Sequence, residues 1–211
     1  MKSRNWLKGI GITIVTATVF LTGCGNGDAE KIDTEEQTKN VEDEGEKVEI
    51  ESNEGKPHHE QLIKIALPPE AEYLNDETLE VYEQDKKKYD NTNQRITNNS
   101  ITILIGEYGY YDPVQDALEC SAVIINGTDS IIEDLSFQVS IENNAIPEKV
   151  FLDNTVPELT KSQVGNFLPN MGVPVILGFP EKNPTNGNEN GKKIDTNKLK
   201  IHLSNIQYKK E

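Results

Sequence analysis

Two cysteines, three histidines and a cluster of tyrosines are the side chains here best suited to chemistry, and their spacing constrains what each can do. Cys120 and His202 are a nucleophile and a base by type. Leu118, Cys120, Ala122 and Ile124 alternate with Glu119, Ser121, Val123 and Ile125, which predicts a thiol pointing into a core. His202 lies between Lys200 and Ser204 on the polar side of Leu199–Leu203 and is predicted to point outward, so the two do not converge. His58 and His59 are adjacent, and neighbours on an extended chain point in opposite directions. With no third ligand at useful spacing they read as surface histidines. Asn186-x-Asn188-x-Asn190-Gly191 imitates the opening of a calcium loop. It offers neutral amides at the first three ligand positions, Lys192 at the seventh, and Asn197 at the twelfth, where a bidentate Glu is needed. A flexible loop is the better account. The chain has no Gly-x-Ser-x-Gly elbow, phosphate-binding glycine loop or His-Glu-x-x-His motif, so no catalytic residue, cofactor or metal is assigned. Tyr108-Gly109-Tyr110-Tyr111, ending in Asp112-Pro113, is the candidate binding feature, because tyrosine joins an apolar ring to a polar tip. Tyr108, Tyr110 and Tyr111 are the candidate partner-binding residues. If Tyr110 and Tyr111 lie on a strand, at most one of them serves the core.

Cys24 has a different setting. Lys2, Arg4 and Lys8 precede an apolar run, Ile10 to Leu21, that is too short to span a membrane comfortably and ends in Leu21-Thr22-Gly23-Cys24. These residues resemble the lipobox of bacterial lipoprotein signal peptides at all four positions. The resemblance implies removal of residues 1–23 as a signal peptide and a diacylglyceryl group on the Cys24 thiol, which becomes the mature N-terminus. Lipidated Cys24 then holds the protein on the extracellular face of the cytoplasmic membrane. Two or more acyl chains anchor stably, whereas one, at about 0.8 kcal/mol per buried CH₂, binds only marginally.

Loss of Lys2, Arg4 and Lys8 takes the formal net charge from −15 to −18 and leaves Arg95 as the remaining arginine. Such a chain lacks the clustered Lys and Arg that neutralise phosphates along a nucleic acid, so no nucleic-acid partner is expected. Trp6 leaves with the signal peptide, so interface anchors must come from tyrosine or phenylalanine. Cys120 has no partner for an intramolecular disulfide once Cys24 carries lipid, and the domain must be stabilised by its core.

Residues 24–60 read as the lipidated Cys followed by a disordered acidic tether, because Glu42, Asp43, Glu44, Glu46, Glu49 and Glu51 outweigh the lysines and the apolar residues are isolated. Residues 61–95 read as a transition segment. Leu62, Ile63, Ile65 and Leu67 are stopped by Pro68-Pro69. Asn75 then caps one helix carrying Leu74, Thr78, Leu79, Tyr82 and Tyr89, with Asp76 and Glu77 in its first turn and Lys86 to Lys88 in its last. From Ile96 the period becomes two. Leu135, Phe137, Val139 and Ile141 face one way while Asp134, Ser136, Gln138 and Ser140 face the other, and Asn126-Gly127-Thr128-Asp129 predicts a turn pairing strands across 117–141. Further strands are expected near Lys149–Leu152, Val173–Phe179 and Leu199–Tyr208. The predicted fold is mostly β: an immunoglobulin-like antiparallel β-sandwich over 96–211, preceded by the tether and one short helix.

Val123-Ile124-Ile125-Asn126-Gly127-Thr128-Asp129, Leu135-Ser136-Phe137, Val150-Phe151, Leu168-Pro169-Asn170 and Pro174-Val175-Ile176-Leu177-Gly178-Phe179-Pro180 together resemble the SLAP domain of Firmicute surface proteins, over about residues 100–182. That domain is associated with S-layer assembly and offers no catalytic residues to carry over. The resemblance implies a Gram-positive envelope location and a binding or assembly role, with an envelope protein or wall polymer as partner. Two other readings stay open from the sequence: a small-ligand or metal-delivery lipoprotein, marked by a deep polar pocket, and an envelope enzyme, marked by titratable groups converging in one cleft.

Overall fold

The computed structural model describes residues 46–184 and 190–211. Cys24, the tether up to Gly45, and Asn186 and Asn188 of the calcium-like loop lie outside the described residues. The chain is mostly β, as expected, and its strands form two sheets. The four-stranded sheet runs β1 (Glu46–Ser52), β10 (Leu199–Lys210), β6 (Ile132–Asn143) and β7 (Asn154–Leu159). The six-stranded sheet runs β3 (Thr92–Thr97), β2 (His58–Ile65), β8 (Met171–Pro180), β5 (Ala117–Asn126), β4 (Ile101–Asp112) and the two-residue β9 (Lys192–Lys193). All pairings are antiparallel except β2 with β8, which run parallel from Lys64 opposite Met171 to Ile65 opposite Gly172.

One apolar core fills the space between the sheets. Leu118, Cys120, Ala122 and Ile124 of β5 meet Leu135, Phe137 and Val139 of β6 and Ile206 and Tyr208 of β10, all buried. The alternation along β6 matches its expected register, with Leu135, Phe137 and Val139 inside and Ser136, Gln138 and Ser140 half-exposed on the other side.

The outer face of the six-stranded sheet is covered by α1 (Asp76–Tyr89), whose cap is the predicted one: the Thr78 N–H donates to Asn75 Oδ1 at 2.8 Å. Asp76 and Glu77 occupy its first turn and Lys86 to Lys88 its last, complementing the helix dipole. Beneath the helix lies a second apolar cluster of Ile63, Ile65, Ile96, Val123 and Ile125. β5 is therefore buried on both faces, which explains its nearly continuous apolar sequence.

Three parts of the architecture differ from the sequence reading. The sandwich begins at Glu46, so residues 46–60 are not a disordered tether, and 61–95 is part of the fold rather than a transition into it. Val48 and Ile50 look isolated in sequence, yet their spacing of two lays them on the core while Glu49 and Glu51 stay outside. The ladder is supplied by β10, with Val48 opposite Tyr208 and Ile50 opposite Ile206. The helix lies between strands β2 and β3 instead of ahead of the sandwich. Asn126-Gly127-Thr128-Asp129 is not a hairpin turn, since β5 and β6 belong to different sheets. It is a corner, in which the buried Asn126 amide donates to Phe167 O at 2.8 Å and Ser130 O at 2.9 Å while its oxygen accepts from the Thr128 N–H at 2.9 Å. Lys149–Leu152 forms no strand beyond a single bridge between Phe151 and Glu181.

Candidate functional site

Strand β4 carries the tyrosine cluster, and its alternation sorts the rings. Tyr111 turns inward, is 2% exposed, and donates its hydroxyl hydrogen to Glu181 Oε2 at 2.7 Å. This corrects the assignment of Tyr111 as a partner-binding residue. The ring is core, and Lys149 Nζ lies 4.4 Å from its centroid and 3.0 Å from the same Glu181 oxygen. The Tyr111 hydroxyl and the Glu181 carboxylate hold the Lys149 ammonium charged, with its pKa above the usual lysine range. Tyr108 and Tyr110 are half-exposed on the opposite face. Tyr108 donates to Glu119 Oε2 at 3.2 Å, and burial followed by the nearby Glu119 charge pushes the phenol's pKa up. Tyr110 lies directly opposite Lys193 in the β4–β9 pairing, and its hydroxyl occupies the space where a Cβ at Gly191 would stand.

Beside these rings a surface groove of about 450 Å³ runs between α1 and the β4–β9 edge, lined by Gln84, Lys87, Lys88, Glu107 and Lys193. Lys88 is held on its wall, with Nζ 2.6 Å from Glu107 Oε1 and 4.9 Å from the Tyr89 ring centroid. Lys87 and Lys193 are exposed, and among the described residues their ammonium groups make no ion pair or hydrogen bond. Sequence reasoning found the tyrosines but not this groove, because Lys193 reaches it only through β9 pairing with the end of β4.

Under the groove wall lies a polar group that sequence reasoning missed. Asp85 is 0% exposed on α1. Its Oδ1 accepts from the Glu107 N–H at 2.9 Å, and its Oδ2 has no hydrogen-bond partner among the described residues. Burial raises its pKa, opposed by the Glu107 N–H and the adjacent Ser121 hydroxyl. Room for the carboxylate comes from Gly106, where a Cβ would sit 2.1 Å from Ser121 Oγ and 2.2 and 2.3 Å from the two Asp85 oxygens. The β4–β5 register shifts at this point, between Ile105 and Gly109. The only sequence signal was position: Thr78, Tyr82 and Asp85 fall on one helical face.

The remaining candidates are placed as follows. Cys120 is fully buried, and burial pushes its thiol up to about 12, so it offers no thiolate near neutral pH. His202 is on the outer side of β10 with Nε2 2.8 Å from Glu142 Oε1, so it does not meet Cys120. His58 and His59 are exposed on β2, and a ring nitrogen of His59 hydrogen-bonds Asn98 Oδ1. Among the described residues no three His, Cys, Asp or Glu side chains gather as a metal site, and no helix is long and apolar enough to cross a membrane. No protein family, curated protein or solved structure matches this chain.

Proposed function

We propose that this protein is a non-enzymatic, lipid-anchored component of a Gram-positive cell envelope that presents a β-sandwich to another envelope constituent. The observation that carries the location is Leu21-Thr22-Gly23-Cys24 closing a short apolar run behind three basic residues and opening an acidic stretch. With diacylglycerol on Cys24, residues 1–23 are removed and the acidic residues before Glu46 link the anchor to the sandwich. The binding role is supported by half-exposed Tyr108 and Tyr110 on β4, whose neighbours Glu107 and Lys193 line a lysine-bearing groove. A SLAP-like role in surface assembly is consistent with a two-sheet β fold. Replacing Cys24 by alanine tests the anchor directly. The variant is expected to lose incorporation of radiolabelled palmitate and to appear in the medium or as uncleaved precursor. A processed Cys24→Ala protein that stays in the membrane fraction at wild-type level would refute the assignment.

A further inference from the structure

The described surface reverses the sign of the whole chain at one place. The sequence has 36 acidic residues against 21 basic ones, yet the groove beside Tyr108 and Tyr110 is lined by Lys87, Lys88 and Lys193 with a single carboxylate, Glu107. Glu107 is spent on Lys88 at 2.6 Å, and among the described residues the Lys87 and Lys193 ammonium groups have no ion-pair partner. Lysines in the last turn of α1 have a local reason to exist, the negative end of the helix dipole. Lys193 has none. It belongs to a two-residue strand whose pairing with Tyr110 and Tyr111 brings its ammonium group to the same groove.

We propose that this groove binds an anionic polymer whose charges are phosphate groups, which names the partner chemistry of the envelope-binding reading and rests on it. Lysine acts as a point charge toward phosphate and needs no planar acceptor, and no arginine fork lines the groove, since Arg95 lies on the far edge strand β3. The groove is shallow and its cations are exposed, so one phosphate gains little. A chain of phosphates engages Lys87 and Lys193 together and raises its effective concentration at the second site once held at the first. Asp76, Glu77 and Glu80 lie nearer the other end of α1, with Glu83 one turn before Lys87, so a polyanion is steered to the lysine end.

The test is binding of fluorescent long-chain inorganic polyphosphate to the intact protein in detergent, followed by anisotropy across a salt series. Wild type is expected to bind with an affinity that falls steeply as salt rises, and Lys87→Glu with Lys193→Glu to weaken it at least about tenfold. The charge-matched control, Lys64→Glu with Lys182→Glu at two exposed positions elsewhere, is expected to stay within about twofold. Melting temperatures of both double variants verify folding. Equal weakening by the two double variants, or no binding by wild type, overturns the proposal. Equal binding of polygalacturonate overturns the phosphate preference. Groove-dependent capture on phosphatidylglycerol vesicles without polyphosphate binding makes a lipid surface the occupant instead. The anchor is read separately by Cys24→Ala, so failure here leaves the location standing.

Discussion

Glu181 and Asp85 are both carboxylates taken out of water, one at the rim of the inter-sheet core and one between α1 and the six-stranded sheet, and the fold treats them oppositely. Glu181 receives Lys149 at 3.0 Å and the Tyr111 hydroxyl at 2.7 Å on one oxygen. Its two partners come from β4 and from the loop after β6, and Glu181 itself directly follows β8, so the cluster ties those three segments together. Asp85 receives one backbone N–H on Oδ1, and among the described residues Oδ2 has no hydrogen-bond partner. An ion pair in a dry site returns much of the desolvation cost of both charges, whereas at Asp85 burial outweighs the Glu107 N–H and the Ser121 hydroxyl and shifts the carboxyl toward its neutral form. The first arrangement depends on every partner staying in place. The second is a standing cost that the rest of the fold offsets.

The largest effect should come from opening the paired site. Lys149→Met is expected to cost about 3–5 kcal/mol in urea unfolding, because it strands a buried charge. Lys149→Met combined with Glu181→Gln should recover most of that loss, since the charge is gone and Tyr111 keeps an acceptor. If the double variant is as unstable as the single one, the loss comes from packing against the Tyr111 ring and not from charge. At the unpaired site, Gly106→Ala should cost about 1–3 kcal/mol through overpacking against Ser121 and Asp85, and adding Asp85→Ala should return part of it.

Asp85→Asn should be within about 1 kcal/mol of wild type at neutral pH, since the amide keeps the bond from the Glu107 N–H and gains a donor beside Ser121. The pH profile makes the contrast sharper. A carboxyl whose folded pKa is raised above the usual 3.8 favours the fold below that value and loses this contribution as pH rises through the folded pKa. Wild type should therefore lose stability relative to Asp85→Asn over that window, and parallel profiles would mean that Asp85 does not titrate differently in the fold. The smallest effect is expected on the surface. His202 and Glu142 lie 2.8 Å apart, but water solvates both, and Glu142→Gln should leave the melting temperature unchanged at neutral pH.

The helix was legible because its signals are local: Asn75 accepts from the N–H three residues ahead of it, and the charges at either end suit the dipole. Strands β5, β6, β8 and β10 were legible for the same reason, since their apolar spacing needs no knowledge of the partner strand, whereas the strand expected at Lys149–Leu152 gave way to β7 at Asn154–Leu159. Val48 and Ile50 were not, because two apolar residues among glutamates carry no visible face until β10 lies beside them. The tyrosine cluster was half legible. Its period of two required that neighbours part, but which of Tyr110 and Tyr111 went inward depended on Glu181, seventy residues beyond Tyr111.

What the sequence determined by itself is the set of elements: a capped helix, apolar-alternating strands, an inward Cys120, and an N-terminal segment ending in Leu21-Thr22-Gly23-Cys24. What only the tertiary structure decided is which elements meet. It sent β5 and β6 to different sheets across an Asn-Gly corner, set β2 parallel to β8, buried Asp85 against Gly106, and carried Lys193 to the lysines of α1. Alternation and capping are settled over a few residues, where neighbouring side chains and backbone groups already touch. Sheet partners and buried charges are settled by chain segments distant in sequence, where apolar surface and hydrogen-bonding groups compete for the whole interior at once.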